Sequence, residues 1–399
     1  MKILLSNKFY YHRGGSETYI INLEELLKSK GHDVAVFAMQ HPQGMESSFS
    51  QYFPANVEYG KRDLKQICLF LTRPFGTKEV KRKFNALLDD FQPNVVHFNN
   101  IHTHLSPVIM QIAHERGVKV VWTLHDMKII CPDTLCLRSD GQICELCFYD
   151  KRYVLKHKCN KKSFGASLIA YLEAKKWTRK KLEKYTNTFI SPSKFLADKL
   201  KLAGFDENKI SVLCNFIDIE KTKKENQNRE DYYCYIGRLS REKGIETLIE
   251  AAKKLPFHLK IIGGGPLLEE LQQSIKNENI EFLGYKQWGE IKEIVGKARF
   301  LVIPSEWYEN NPLSVIESKC LGTPILGANI GGIPELIEEG KSGMLFESRN
   351  VSDLREKIEK MFEMNFDYKK IAEESQQCYS SENYYQKIMK IYRKSINNC

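Results

Sequence analysis

Short apolar runs alternate with longer stretches of helical period along nearly the whole chain. The first run is KILLS. A loop, YYHRGGSE, leads from it into TYIINLEELLKSKG, where Ile20, Leu23, Leu26 and Leu27 recur at helical spacing and Gly31 stops the helix. DVAVFA, PNVVHFNN, KVVWTLH and NTFISPS read as further short strands, separated by helical stretches such as SPVIMQIAHERG. Strands this short and apolar, each followed by a helix, predict a parallel sheet covered on both faces.

The scheme then starts again. YYCYIGRLS is a strand entering a loop, GIETLIEAAKKL a helix, FHLKIIGGGP a strand ending in glycines, LLEELQQSIKN a helix and IEFLGY a strand. EIKEIVGKA, RFLVIPS, NNPLSVIESKCLG, TPILGA and GGIPELI continue the alternation. Between the two series the polar run Glu220–Asp231 has no periodicity and predicts a linker. The expected fold class is α/β, with two doubly wound Rossmann-like domains facing each other across a cleft. The closing NYYQKIMKIYRKS reads as an amphipathic helix with no strand after it.

Composition adds bounds. At 399 residues the chain is too long for one ordinary core, which agrees with two domains. The N-terminal apolar run is too short for a signal peptide, and no stretch approaches the length of a membrane span. Eleven cysteines without an export signal are expected to be reduced thiols in a cytoplasmic protein. The net charge of +10 is uneven. Residues 1–215 hold 33 Lys and Arg against 21 Asp and Glu, and the remainder 27 against 29. Such asymmetry suits an anionic membrane or nucleic acid, although a solvated lysine-rich surface has the same composition.

Ligands of doubly wound domains lie at the carboxyl ends of the strands. The loops there are HRGGSE, TLHDMK, GRLSREKG, GGGP, FLGY and PSEWYENNP, rich in glycines, cations and helix starts, which suits phosphate. Gly14 and Gly15 would let a ligand approach the backbone, though an ordinary strand-to-helix turn uses the same pair. They do not form G-x-G-x-x-G, so the dinucleotide fingerprint is absent. Arg238 and Lys243 in one loop could neutralise a diphosphate. Gly264 lies in a loop of backbone-binding composition.

Glu309 and Glu317 have seven residues between them, with NNP directly after the first. Asn311 is the expected N-cap and Pro312 the expected first helical residue, placing Glu309 just outside the helix start and Glu317 inside it. Two carboxylates so placed could hold a donor sugar and its ribose through hydroxyl groups, with a diphosphate at the helix N-terminus between them. Dipole capping by Glu309 and a solvated Glu317 is the alternative on spacing alone.

Taken together, HRGGSE, TLHD, GRLSREKG and ENNPLSVIE, in this order along the chain, resemble the retaining glycosyltransferases of family 4, the group-1 type of surface polysaccharide synthesis. The resemblance covers nearly the whole chain and implies the GT-B fold. It implies an acceptor-binding domain over 1–205, a donor-binding domain over 210–375, and a last segment, 376–399, returning to the first domain. It further implies Glu309 on the transferred sugar, Glu317 on the ribose, Arg238 and Lys243 on the diphosphate with Gly15 close by, and His125 beside the sugar and acceptor. Many members carry Gly where this chain has Pro312. Proline offers no N–H, so the amides of Leu313 and Ser314 are expected to serve instead. The implied reaction moves a sugar from a UDP- or GDP-linked donor to a saccharide or lipid-linked acceptor. No D-x-D occurs, so a divalent metal on the diphosphate is not implied.

Two further features stand apart. Within a Cys-rich insertion of about 131–160, Cys144 and Cys147 have zinc-ligand spacing, and Cys131 and Cys159 could complete a structural zinc set. Free thiols are the plainer reading. The run LIAYLEAKKWTRKKLEKY mixes Tyr171, Leu172 and Trp177 with Lys and Arg and could lie on an anionic inner leaflet as one amphipathic helix. A nucleotide-sugar 2-epimerase of similar two-domain fold is the alternative enzyme. A nucleic-acid-binding protein is suggested only by charge, with no supporting motif.

Overall fold

The computed structural model describes residues 1–57, 64–222 and 228–397; within the run read as a linker, residues 223–227 lie outside the described residues, as do 398–399 of the last segment. The chain forms two compact units, one of Met1–Cys214 with Tyr384–Cys399 and one of Asn215–Asn383. The change of unit thus falls between Cys214 and Asn215, ahead of the polar run.

In the first unit the strands are β1 (Lys2–Ser6), β2 (Asp33–Phe37), β3 (Val95–Phe98), β4 (Lys119–Thr123), β5 (Thr188–Ser191) and β6 (Ile210–Val212). They form one sheet in the order β2-β1-β3-β4-β5-β6, every pair parallel. The helices are α1 (Gly15–Ser29), α2 (Leu64–Thr72), α3 (Lys78–Phe91), α4 (Val108–Glu115), α5 (Tyr153–Lys156), α6 (Phe164–Lys176), α7 (Arg179–Tyr185) and α8 (Lys194–Leu202). Ile3, Leu4 and Leu5 are fully buried in succession, as expected of a central strand with helices on both faces.

The second unit repeats the design with β7 (Tyr232–Ile236), β8 (His258–Ile262), β9 (Ile280–Gly284), β10 (Leu301–Ile303), β11 (Ile325–Ala328) and β12 (Gly343–Phe346), in the order β12-β11-β10-β7-β8-β9. Its helices are α9 (Ile245–Ala252), α10 (Leu268–Ser274), α11 (Trp288–Lys297), α12 (Leu313–Cys320), α13 (Val351–Glu363) and α14 (Tyr368–Tyr379). In each sheet two adjacent strands send their connections in opposite directions: β1 and β3 in the first, β7 and β10 in the second. The crevice beyond such a pair is where doubly wound sheets bind ligands.

The last helix, α15 (Ser381–Asn397), belongs to the first unit from Tyr384 onward. Buried polar groups hold it there. Tyr392 Oη meets His97 Nδ1 at 2.7 Å, Ser395 Oγ meets Thr188 Oγ1 at 3.0 Å, and the Tyr384 and Tyr19 hydroxyls share a hydrogen bond. Burial holds the His97 imidazole at about 3, so it is neutral in the fold.

The basic run is not one amphipathic helix. It breaks into α6 and α7 around Trp177, which is buried and donates Nε1 to the Pro74 carbonyl at 2.9 Å. An indole spent on core packing and a backbone acceptor is not available to a lipid surface.

Candidate functional site

At the β7/β10 crevice of the second unit the two post-strand loops are tied together. The Glu306 amide donates to the Glu242 carbonyl at 2.9 Å, and Thr247 Oγ1 donates to Glu306 Oε1 at 2.5 Å. Gly244, at φ +68°, is required here: a side-chain carbon would overlap the Pro304 carbonyl. This close approach brings Lys243 Nζ to 2.6 Å from Glu309 Oε1 and 4.9 Å from the centre of the Trp307 ring. Glu309 is buried, 8% exposed, and Oε1 also accepts from Ser305 Oγ and Trp307 Nε1, each at 2.9 Å. Burial alone would raise its pKa; the Lys243 charge, followed by the three donors, overrides this and holds it below the usual value. All three of these donors converge on Oε1.

Eight residues on, Glu317 is half-buried within α12 and has no paired cation among the described residues. Desolvation pushes it up to about 7. The two carboxylates flanking the start of α12 therefore differ: Glu309 is fixed as an anion, and Glu317 is poised between forms near neutrality.

The helix start differs from expectation by one residue. Pro312, with extended backbone, occupies the N-cap, Leu313 is the first helical residue, and no side chain caps the helix. Asn311 does not cap it because its amide is used elsewhere. Its Oδ1 accepts from the Asn215 amide at 2.9 Å and its carbonyl accepts from Asn215 Nδ2 at 2.9 Å. The Leu313 and Ser314 amides belong to the first turn, whose donors have no partner inside the helix. Arg238 is exposed, with no ion pair for its guanidinium among the described residues. In the GGGP loop the backbone demand falls on the neighbours of Gly264. A side-chain carbon on Gly263 (φ +134°) would overlap the Gly237 carbonyl and one on Gly265 (φ +158°) the Leu239 carbonyl, whereas one on Gly264 would meet nothing within 4 Å.

In the first unit, Gly14 and Gly15 are exposed, Gly14 forming the N-cap of α1 in extended backbone with no side-chain cap. His125 follows β4, and its Nε2 lies 2.9 Å from Asn99 Oδ1. An amide oxygen only accepts, so Nε2 carries the proton. Burial, then the Lys8 charge, hold this imidazole at about 3, leaving it neutral at ordinary pH. Asn99 in turn follows β3, and Asn7, after β1, accepts from the Asn100 amide at 3.0 Å through Oδ1. His125 thus stands beside the β1/β3 crevice.

The Cys-rich segment gathers differently from the spacing argument. Cys131 lies close to Cys136 and Cys147, all three buried, while Cys159 is coupled to Cys131 and Cys144 only electrostatically. Cys136 was missing from the set read from C-x-x-C spacing because its approach depends on a turn, the bridge between Leu137 and Ile143. Among the described residues no group of three or more His, Cys, Asp or Glu is placed to hold a metal ion.

Four site residues were not singled out from the sequence. Ser305 and Trp307 both donate to Glu309, and their positions inside PSEWYENNP were the available signal. Gly331 (φ +62°) packs against the Glu309 backbone, and Gly332 donates its amide to the Glu309 carbonyl at 2.7 Å. The NIGGIPELI loop that supplies them gave no hint of that partner.

Comparison with known proteins bears on this geometry. Residues 13–221 match the family model described as Glycosyltransferase Family 4, and residues 216–378 match Glycosyl transferases group 1. An uncharacterized glycosyltransferase of Methanocaldococcus jannaschii is 30% identical over 44% of this chain and 50% of its own length. An uncharacterized 42.6 kDa protein in the cps region of Klebsiella pneumoniae is 25% identical over 84% of this chain and 87% of its own. Among solved structures, Anabaena HepE in complex with UDP superposes with a TM-score of 0.69 at 17% identity, covering 99% of this chain and all of that one.

Proposed function

The chain belongs to glycosyltransferase family 4 and has the GT-B fold, and from that premise we propose that it is a retaining enzyme that transfers a sugar from a nucleotide-diphosphate sugar without a divalent metal. The observation that carries this reading is the Lys243–Glu309 pair at the β7/β10 crevice, beside the uncapped start of α12. The HepE structure is in complex with UDP, which supports a nucleotide ligand. The relative in the cps region supports an acceptor from surface polysaccharide assembly, a saccharide or a lipid-linked one. Both family models are of glycosyltransferases, and neither favours the 2-epimerase alternative.

The residues divide the chemistry. Breaking the bond from the sugar to the diphosphate builds negative charge on the leaving group and positive charge on the sugar ring. The exposed Arg238, the Lys243 ammonium and the amides of Leu313 and Ser314 oppose the first, adding the positive end of the helix dipole. Pro312 contributes no N–H. Glu309, already ionised, accepts from a sugar hydroxyl through Oε2 and stabilises the second. Glu317 takes the ribose hydroxyls. The GGGP loop, with Gly264 open, borders the nucleotide, and in the first unit Gly14 and Gly15 leave the backbone at the start of α1 open to the donor. In the first unit the neutral His125 is assigned to the sugar and acceptor.

For the Cys-rich segment we propose structural zinc on thiols drawn from Cys131, Cys144, Cys147 and Cys159, with Cys136 a contender because it already touches Cys131. Thiolate is a donor zinc takes, and because no three ligands converge among the described residues, the segment would have to draw its thiols together around the ion. Untagged protein should carry close to one equivalent; below about a tenth of an equivalent the thiols are simply free.

The test of the main reading is slow nucleotide release from a panel of UDP-, GDP- and ADP-sugars in EDTA, with Arg238→Ala and Glu317→Ala alongside. Release from one donor, lost in both variants, is the expected result. Release only after magnesium or manganese is restored would overturn metal independence, and conversion of a donor to its epimer would overturn transfer.

A further inference from the structure

Two helices of the first unit leave apolar stripes uncovered. On α2, Leu64, Ile67 and Leu71 are 84, 42 and 47% exposed; on α6, Phe164, Leu168 and Leu172 are 56, 36 and 42% exposed. The spacings are those of a single helix face. On α6 the opposite side is already covered: Ser167, Ala170 and Glu173 are buried, and Glu173 pairs with Lys128 at 3.1 Å. The two helices come together at their carboxyl ends. α2 runs into the turn Arg73–Phe75, and the end of α6 is fastened to that turn by Lys176 Nζ on the Phe75 carbonyl and Trp177 Nε1 on the Pro74 carbonyl.

Charge surrounds the stripes with one sign. Between Asn160 and Lys184 there are eight Lys and Arg against two Glu, and of those two Glu173 is buried and Glu183 faces Arg179 at 3.7 Å. Near the meeting point Lys176 feels the charges of Lys81 and Lys181. At the other end of α6 lies a cavity of about 490 Å³ lined by Arg138, Asp140, Lys156, His157, Lys158 and Lys162. Its single carboxylate, Asp140, is bound to Arg138, and His157 Nε2 is buried with no hydrogen-bond partner among the described residues.

We propose that the α2 and α6 stripes form a docking face for an anionic lipid bilayer, with the cavity beside Lys162 taking a phosphate headgroup. Leucine and phenylalanine stripes bury in the acyl boundary, and lysines at both ends of α6 meet anionic headgroups. The surrounding cations, Lys156, Lys158 and Lys162 among them, are what a phosphate would neutralise. This face differs from the one the sequence suggested: Trp177 takes no part, and α2 joins. It deepens the proposed function by bringing the enzyme to a lipid-linked acceptor, and in that respect rests on it.

The full chain is floated with phosphatidylcholine vesicles with and without phosphatidylglycerol, at low salt and at ~0.5 M salt. Binding to anionic vesicles only, weakened by salt, is expected. Leu168→Gln with Leu172→Gln, and separately Lys158→Glu with Lys162→Glu, should each reduce the bound fraction by about tenfold. Both variants should keep the wild-type circular dichroism and the wild-type nucleotide release in solution. No vesicle binding, or binding that both variants retain, overturns the proposal. So does a concentration-dependent dimer that Leu168→Gln with Leu172→Gln abolishes, since a second copy would then cover the stripe. Absence of nucleotide release with vesicle binding intact would instead count against the proposed function alone.

Discussion

Lys243 and Glu309, 66 positions apart in sequence, form a 2.6 Å ion pair at the carboxyl end of the second sheet, over the Trp307 indole. The pair fixes a carboxylate as an anion inside a site that would otherwise favour its neutral form.

Removing the cation should therefore do two things. Lys243→Ala leaves a buried carboxylate with only Ser305 and Trp307, a loss of about 2 kcal/mol at pH 7, because a partly buried charge loses its partner. Glu309 is held below its unfolded value, so its contribution is present above about 4.5 and disappears as pH falls below that. Denaturant midpoints of wild type and Lys243→Ala should thus differ at pH 7 and draw together toward pH 4. Nucleotide release should fall by about a hundredfold or more.

Glu317 behaves in the opposite sense. Its folded value is about 7, above the unfolded carboxylate, so between about 4.5 and 7 the folded state binds the extra proton and stability declines as pH rises. Glu317→Gln should remove that decline and be the more stable protein at pH 8, while raising KM for the donor about tenfold through a weakened ribose hydrogen bond. Unchanged KM would separate Glu317 from the nucleotide.

His125 is neutral throughout the working range because burial holds it at about 3. The pH profile of nucleotide release should show no inflection near 6.5 from this residue, and His125→Ala should lower the rate about a hundredfold. Unfolding frees His97 and His125 to protonate, so stability should be full above about 6.5 and fall as pH drops toward 3. Thermal midpoints between pH 7.5 and 5 measure that slope.

The glycines of the GGGP loop should divide. Gly264→Ala has open space and should change stability by less than about 0.5 kcal/mol. Gly263→Ala would strike the Gly237 carbonyl at a positive φ and should cost more than about 2 kcal/mol. If Gly264→Ala keeps the fold but loses nucleotide release, the loop touches the ligand.

Period and punctuation alone determined much of this protein. Runs such as KILLS and YYCYI read as buried parallel strands and are such, helices such as TYIINLEELLKS had one apolar face, and Gly31 ended its helix at φ +77° as a glycine can. β6 and β12 escaped notice: both are edge strands only partly buried, so the sequence need not mark them as strongly as it marks the central ones. Loop chemistry at strand ends marked Arg238, Lys243, Glu309 and Glu317, since local composition records which loops suit phosphate.

Only the tertiary structure decided how those side chains are spent. Partners far apart in sequence leave no local trace. Asn311 goes to Asn215 rather than to its helix, Cys136 joins Cys131, Trp177 is taken by Pro74, and Lys243 reaches Glu309. Each choice is made by which groups packing brings within a few ångströms and strips of water, and burial then sets their charge.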